Sequence, residues 1–185
     1  MSKEYTPIIA SNGMCVPATL KVIIAQNKLD FNIEDIAKDL GIEIPKEFAK
    51  QYPNLVVNKN NQFYQPINKK EFSINNFFKK NKIPLTMKRY YLTDPAKIQT
   101  LIADKIKTND IAICYDFPTT INKDAKWGHV ALATKISKAK IDLLNSYICN
   151  KDQKYTISIE LIAKAIKKHT KRKMAGIWIF EKNKK

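Results

Sequence analysis

The sequence predicts an α+β fold in which N-terminal helices pack on a C-terminal antiparallel sheet. Helical patterns dominate the first half of the chain, and strand patterns joined by short turns cluster after residue 109. Only four glycines occur, so the glycine-rich phosphate loop of a nucleotide-binding parallel sheet is missing. The 185 residues, 44% of them hydrophobic, suffice for one sizeable core, and we expect a single domain over residues 1–185.

The stretch around Cys15 organises this prediction. Gly13 gives the backbone freedom before Cys15, and Pro17 fits the first turn of a helix, so Cys15 is predicted at a helix N-terminus. The helix that follows is apolar on nearly every side, which places it inside the protein. Helix-terminal N–H groups and the helix dipole favour an anion, so we expect a lowered pKa for the Cys15 thiol and a nucleophilic thiolate. The alternative is a small buried hydrophobic residue.

Further helices are indicated where a capping residue precedes apolar positions at helical spacing. They are expected after Asn32, Ser73, Asp94 and Ser158, and Gly41 is expected to end the first of them. Residues 45–70 show no period apart from a helical turn started by Pro45, which indicates a surface excursion.

Strands are indicated by β-branched and aromatic runs. They are expected at residues 85–91, 110–117, 127–134, 141–147 and 176–180. Residues 118–126 are predicted to form a loop, and a short turn near residues 137–139 makes the strands on either side an antiparallel hairpin.

The formal charge of +16 favours acidic partners, but its make-up argues against a dedicated nucleic-acid site. Arg89 and Arg172 are the only arginines, whereas phosphate and base recognition prefers the guanidinium fork. Abundant lysine, asparagine and isoleucine together are typical of compositional drift. We therefore expect no specific nucleic-acid binding, and a peptide or protein substrate for which an acidic character is compatible with the charge.

The compartment and cofactor expectations rest on what the sequence lacks. Residues 1–7 do not follow the basic-then-apolar order of a signal peptide, and no apolar stretch reaches membrane-spanning length. We expect a cytoplasmic protein, or one exported without an N-terminal signal peptide. The three cysteines, Cys15, Cys114 and Cys149, lack metal-ligand spacing, so no disulfide framework, metal or cofactor is expected. The sequence does not indicate an oligomeric state.

Three polar positions have the layout of cysteine-nucleophile catalysis. Cys15 starts a helix, His129 opens a strand more than a hundred residues later, and Asn145 lies on the next strand. Asp142 on that same strand competes with Asn145 for the role of orienting the imidazole, because the sequence does not determine the register of the hairpin. The other histidine, His169, lies in a lysine-rich segment and is expected to be a solvated surface residue.

These features resemble the papain-like cysteine peptidase superfamily, most closely the compact double-glycine leader peptidase type of bacteriocin transporters and its stand-alone relatives. The resemblance rests on CVPAT (residues 15–19), the helix at 33–41, GHVAL (residues 128–132), Asn145 and the helix at 157–166. It implies that Cys15 attacks a carbonyl, that His129 takes the thiol proton and returns it to the leaving group, and that Asn145 orients the imidazole. Leader peptidases have aspartate at the third position, and papain has asparagine.

The sequence departs from the family where a glutamine donates to the oxyanion, because Ile9 stands at that position. Asn12 is the nearest side-chain amide that could replace it, together with the backbone N–H of Cys15. The sequence therefore predicts a hydrolase or acyltransferase that acts on an amide or thioester bond through a thioester intermediate. The alternative is a non-catalytic papain-fold binding module that uses its basic surface to hold an acidic partner.

Overall fold

The computed structural model describes residues 4–11, 13–66, 69–125, 127–146 and 153–183. The helices in these ranges are α1 (Cys15–Ala25), α2 (Ile33–Asp39), α3 (Ile74–Lys80), α4 (Pro95–Lys105), α5 (Phe117–Thr120) and α6 (Ile159–Lys168). The strands are β1 (Glu43–Ile44), β2 (Val56–Val57), β3 (Leu85–Tyr90), β4 (Asp110–Asp116), β5 (Gly128–Ile136), β6 (Lys140–Leu144), β7 (Lys154–Ser158) and β8 (Gly176–Lys182). Single 3-10 turns lie at Lys46–Phe48 and Lys70–Phe72.

Six of the strands form one sheet in the order β3-β8-β4-β5-β6-β7, and each neighbouring pair is antiparallel. Strand β5 lies next to β4 on one side and β6 on the other. At the start of β5, Gly128 and His129 pair with Asp116 and Tyr115 of β4, and the pairing with β6 begins at Leu132. The α+β class predicted from the sequence is confirmed.

The predicted helix starts are confirmed by their caps. The Asn32 side chain accepts from the N–H of Glu34 at 3.1 Å, and Asp94 accepts from Lys97 at 3.0 Å. Ser73 and Ser158 cap α3 and α6 in the same way. Each cap satisfies an N–H group that the helix itself leaves without a partner, which is why these short sequence signals fixed the helix starts.

Strand alternation divides the apolar residues between the two faces of the sheet. In β4, Ala112 and Cys114 face α1, α2 and α3, whereas Ile111, Ile113 and Tyr115 belong to the core formed with α4 and α6. The central helix α1 is buried along most of its length, as its all-round apolar sequence predicted. Helices thus cover both faces, and the C-terminal half supplies the second layer.

Strand β7, helix α5 and the two short strands β1 and β2 were not predicted. Strand β7 lies at the sheet edge with only Ile157 fully buried, so its apolar alternation is weak. Helix α5 stands in the predicted loop because Asp116 caps it, accepting from the N–H of Thr119 at 3.1 Å. The predicted surface excursion contains the short parallel pair β1–β2, and Tyr64 bridges to Glu43.

In the ranges that the structure describes, no helix combines the length and the apolar character needed to cross a membrane.

Packing of α1 predicts a large stability difference between two apolar truncations. Ile23 is fully buried in α1, whereas Val56 is 66% exposed. We expect Ile23→Ala to lower the free energy of unfolding by about 2–5 kcal/mol through lost burial and a residual cavity. The control Val56→Ala should change it by less than about 0.5 kcal/mol. Urea denaturation followed by circular dichroism measures both, and similar losses would contradict the central position of α1.

Candidate active site

Cys15 is the first residue of α1, as predicted, and a close approach just before it holds this turn in place. Gly13 has a φ of +76°, and a Cβ atom added to it would lie 2.4 Å from the ring of Phe63. Both the backbone conformation and the ring exclude a larger residue here. The loop that contains Phe63 is thereby packed directly against the segment that leads into Cys15.

The pKa of the Cys15 thiol is raised, not lowered as the sequence predicted. Burial raises the pKa of the thiol, and the N–H groups of Val130, Val16 and Cys15 itself lower it by a smaller amount. The helix-terminal donors that the sequence indicated are therefore present, but desolvation of the anion outweighs them. The Cys15 thiol is neutral in the resting protein.

His129 is buried, only 4% exposed, and is the second residue of β5. Its Nε2 atom lies 2.6 Å from Oδ1 of Asn145. An amide oxygen only accepts, so Nε2 carries the proton and donates, and Nδ1 of the neutral ring is an acceptor. The rings of Phe117 and Tyr115 meet the imidazole edge-on at 5.3 and 5.8 Å between centroids.

Burial lowers the pKa of His129 to about 4, and the hydrogen bond that its Nε2–H donates to Asn145 opposes this only in part. With the raised pKa of the Cys15 thiol, this makes the neutral imidazole and the neutral thiol the resting forms of both groups.

The structure brings Asn145, rather than Asp142, to the imidazole. Asn145 follows directly after β6, is 1% exposed, and donates its backbone N–H to the carbonyl oxygen of Gln153 at 2.6 Å. Asp142 lies within β6, where its Oδ1 atom accepts from the hydroxyl of Thr156 in β7 at 2.7 Å. The two competing residues of the sequence prediction therefore have different neighbours.

Cys15 and His129 line one cavity of about 530 Å³, within the usual size range of small-ligand pockets. The Cys15 sulfur contacts the N–H of Val130, the residue directly after His129. The aromatic side chains lining this cavity are Phe63, Tyr64, Phe117 and Trp127. The polar side chains lining it include Ser11, Gln65, Ser146, His169 and Lys171.

Of the two expected oxyanion donors, the backbone N–H of Cys15 lies within the described residues. Asn12 lies outside the residues that the structure describes. Ile9, at the position of the family glutamine, is 63% exposed and does not line the cavity. Ser11 is buried, donates to Gln51 Oε1 and accepts from the hydroxyl of Tyr52, both at 2.9 Å.

His169 corrects the sequence prediction, because it is buried and lines the cavity. It is 3% exposed; its Nε2 lies 3.5 Å from Sγ of Cys114, and its Nδ1 accepts from the N–H of Lys171 at 3.0 Å. Burial lowers its pKa. A Cβ atom on Gly128 would lie 2.4 Å from Nε2, so the ring packs on the residue before His129. The one sequence signal was its spacing from Ile166, which continues the buried face of α6.

Ser146 is a second cavity residue that sequence reasoning missed. It is 7% exposed, and among the described residues its hydroxyl has no hydrogen-bond partner. A buried hydroxyl without a partner is unusual and calls for an explanation. No local pattern indicates it, since its burial depends on contacts with the segment that precedes α1: its carbonyl oxygen accepts from the N–H of Ala10 at 2.9 Å.

Among the described residues, no group of three or more His, Cys, Asp or Glu side chains is placed to hold a metal ion.

The overall fold is similar to that of a solved structure described as a C39-like peptidase. Among solved structures, the chain matches a candidate C39-like peptidase from Bacillus anthracis with a TM-score of 0.60. The match covers 99% of this chain and 100% of that one at 9% sequence identity, so the similarity is one of fold. No protein-family model matches the sequence, and no curated protein matches it.

The lowered pKa of His129 predicts a pH-dependent stability. Between about pH 6.5 and about 4 the unfolded chain binds a proton at His129 that the folded chain does not, so stability falls as pH falls through this window. We expect wild type to lose up to about 3 kcal/mol more than His129→Gln between pH 7.5 and 4.5. Urea unfolding at both values measures this, and equal losses in the two proteins would rule out a buried neutral His129.

Proposed function

We propose that this protein is a cysteine-nucleophile hydrolase or acyltransferase that acts on an amide or thioester bond of a peptide or protein substrate. The observation that supports this most directly is the shared cavity of Cys15 and His129, with Asn145 Oδ1 2.6 Å from the imidazole. This arrangement supplies a nucleophile, a base and a group that fixes the tautomer of the base. The fold of the Bacillus anthracis neighbour is consistent with the same chemistry.

The reaction proceeds through a thioester on Cys15. The sulfur attacks the substrate carbonyl carbon while the thiol proton passes to Nδ1 of His129, and the carbonyl oxygen takes up the negative charge. Collapse of this intermediate breaks the bond to the leaving group, which receives the proton from His129. Water or an amine then attacks the thioester carbon and gives its proton to Nδ1 of His129. The carbon–sulfur bond breaks, the acyl product leaves, and His129 returns the proton to the sulfur, which restores the Cys15 thiol. The orienting bond from Nε2–H to Asn145 makes Nδ1 the nitrogen that accepts and returns the proton in each step.

Because Cys15 and His129 are both neutral before substrate binds, the thiolate has to form during the reaction itself. Because burial raises the pKa of Cys15 and lowers that of His129, a standing thiolate–imidazolium pair is disfavoured in the empty cavity. Proton transfer therefore accompanies attack on the substrate. The N–H groups of Val130, Val16 and Cys15, which face the sulfur, stabilise negative charge as it develops.

The oxyanion requires donors beyond the backbone N–H of Cys15. Asn12 remains our proposed side-chain donor in place of the family glutamine. The hydroxyl of Ser146 is a second candidate, because it is buried beside the cavity and has no hydrogen-bond partner among the described residues. A substrate oxygen that accepts from this hydroxyl would supply the hydrogen-bond partner that a buried hydroxyl requires.

The rival is a binding module that kept the fold and lost catalysis. The exposed Ile9 and the raised pKa of the Cys15 thiol favour it, since both remove features of an efficient thiol enzyme. The two hypotheses differ in whether Cys15 is required: an enzyme needs its sulfur, whereas a binding module holds its partner equally well as Cys15→Ala.

Thiol labelling tests the proposed nucleophile. Cys15 lines the cavity and is partly exposed, whereas Cys114 is 1% exposed and burial raises its thiol pKa well above the usual value. We expect iodoacetamide to modify Cys15 at least about tenfold faster than Cys114 at pH 8, with no plateau of Cys15 reactivity near pH 6. Peptide mapping by mass spectrometry measures the rates. His129→Ala should slow the reaction at Cys15 without changing the circular dichroism. Equal rates at the two cysteines would rule out the assignment.

Two alanine variants test the oxyanion donors. We expect Ser146→Ala to unfold at the same or a slightly higher denaturant concentration, since it removes a buried hydroxyl without a partner. Loss of a donor should nevertheless lower turnover about 100-fold to 1,000-fold in Ser146→Ala or in Asn12→Ala. The assay uses a fluorogenic peptide amide or thioester that wild type cleaves and Cys15→Ala does not. Wild-type turnover in both variants would place the second donor elsewhere in the fold.

A further inference from the structure

Residues 167–173, here called the basic segment, follow the end of α6. The basic segment contains Lys167, Lys168, Lys171, Arg172 and Lys173 and no acidic residue. All five cationic residues are exposed. The ion pairs found in the described part of the chain join other residues, so these charges have no acidic partner there.

The basic segment forms one wall of the cavity that contains Cys15. His169, Thr170 and Lys171 line it. Two contacts hold this wall in place. The imidazole of His169 packs on Gly128, and the Arg89 guanidinium donates to the carbonyl oxygens of Arg172 and Ala175 at 2.9 and 3.1 Å. Its charges therefore have a fixed position relative to the nucleophile.

The positive charge reaches the floor of the cavity. Burial raises the pKa of the Cys114 thiol, and the charges of Arg89 and Lys171 act on the same sulfur in the opposite direction. Lys171 is the only lysine, arginine or carboxylate side chain among the described residues that line the cavity. The carboxylate that influences His169, Asp116, is buried and accepts from the N–H and hydroxyl of Thr119. Nothing described there neutralises Lys171.

The remaining lining of the cavity is largely apolar. The rings of Phe117 and Trp127 lie 6.2 Å apart between centroids and, with Phe63, form an aromatic lining. Trp127 is 41% exposed, so this surface continues to the mouth of the cavity. A ligand that satisfies both kinds of lining needs a large apolar group and an anionic group a short distance apart.

We infer that the substrate is an acidic peptide segment in which a large apolar residue next to the reacting bond fills the cavity and a carboxylate close to that residue meets Lys171. This inference rests on the proposed function and deepens it, because it names the substrate class. The other cations of the basic segment attract the acidic flanks and raise the association rate at low salt. Phosphate groups would satisfy the cations but not the aromatic lining.

Two neutral-ended peptides that differ only in charge test the inference. One has a central Phe-Gly-Phe flanked on both sides by two Glu residues, and the other has Gln in place of every Glu. Protection of Cys15 from iodoacetamide gives the dissociation constant of each. Quenching of tryptophan fluorescence, in which Trp127 lines the cavity and Trp178 is buried away from it, gives the constant independently of Cys15 reactivity. We expect the Glu peptide to bind about tenfold more tightly at 20 mM salt, and this ratio to fall toward one at 500 mM salt.

Two matched lysine variants test whether the basic segment is responsible for the preference for the Glu peptide. Lys171→Gln should reduce the preference for the Glu peptide to about threefold or less. Lys97→Gln, which changes an exposed lysine of α4, should leave it unchanged. The inference is overturned if the two peptides bind equally, if neither binds, or if Lys171→Gln and Lys97→Gln have equal effects. It is also overturned if an RNA oligonucleotide binds more tightly than the Glu peptide.

The results that would contradict the proposed function differ from those that would contradict the acidic substrate. Absence of iodoacetamide labelling at Cys15, or turnover that survives in Cys15→Ala, contradicts the enzyme while the fluorescence titration still measures peptide preference. Normal labelling and turnover without any preference for the acidic peptide overturns the substrate class alone.

Discussion

The close approach of α1 to β5 is the constraint on which the rest of the site depends. Leu20, Ile23 and Ile24 are fully buried, so the sheet and the neighbouring helices fix the position of α1. Its first residue then meets the backbone of Val130, one residue past His129. Apolar packing thus brings Cys15, from the start of the chain, and His129, from its second half, to the same cavity.

Two glycines allow distant loops to form walls of the cavity beside this approach. Gly13 lets the Phe63 ring pack just before Cys15, and Gly128 lets the His169 ring pack just before His129. Each contact brings a loop that is distant in sequence against one side of the site. The two walls that contain Phe63 and His169 therefore come from segments outside the helices and strands, and their positions depend on the absence of a side chain at Gly13 and Gly128.

Local signals predicted the parts of the structure that local interactions decide. The caps at Asn32 and Asp94, the start of α1 at Cys15 and the strand that carries His129 all follow from a few neighbouring residues. The fold class followed from the order of such elements. The register that brings Asn145 rather than Asp142 to His129 depends on the pairing of β5 with β6, which no single segment specifies.

Burial was the quantity that the sequence could not supply. It reversed the expected direction of the Cys15 pKa and placed His169 inside the protein despite its lysine-rich neighbours. The same neutral sulfur has a consequence for the chemical durability of the protein. Peroxides oxidise thiolates far faster than thiols, so the burial that raises the pKa of the Cys15 thiol also slows its oxidation to sulfenic acid.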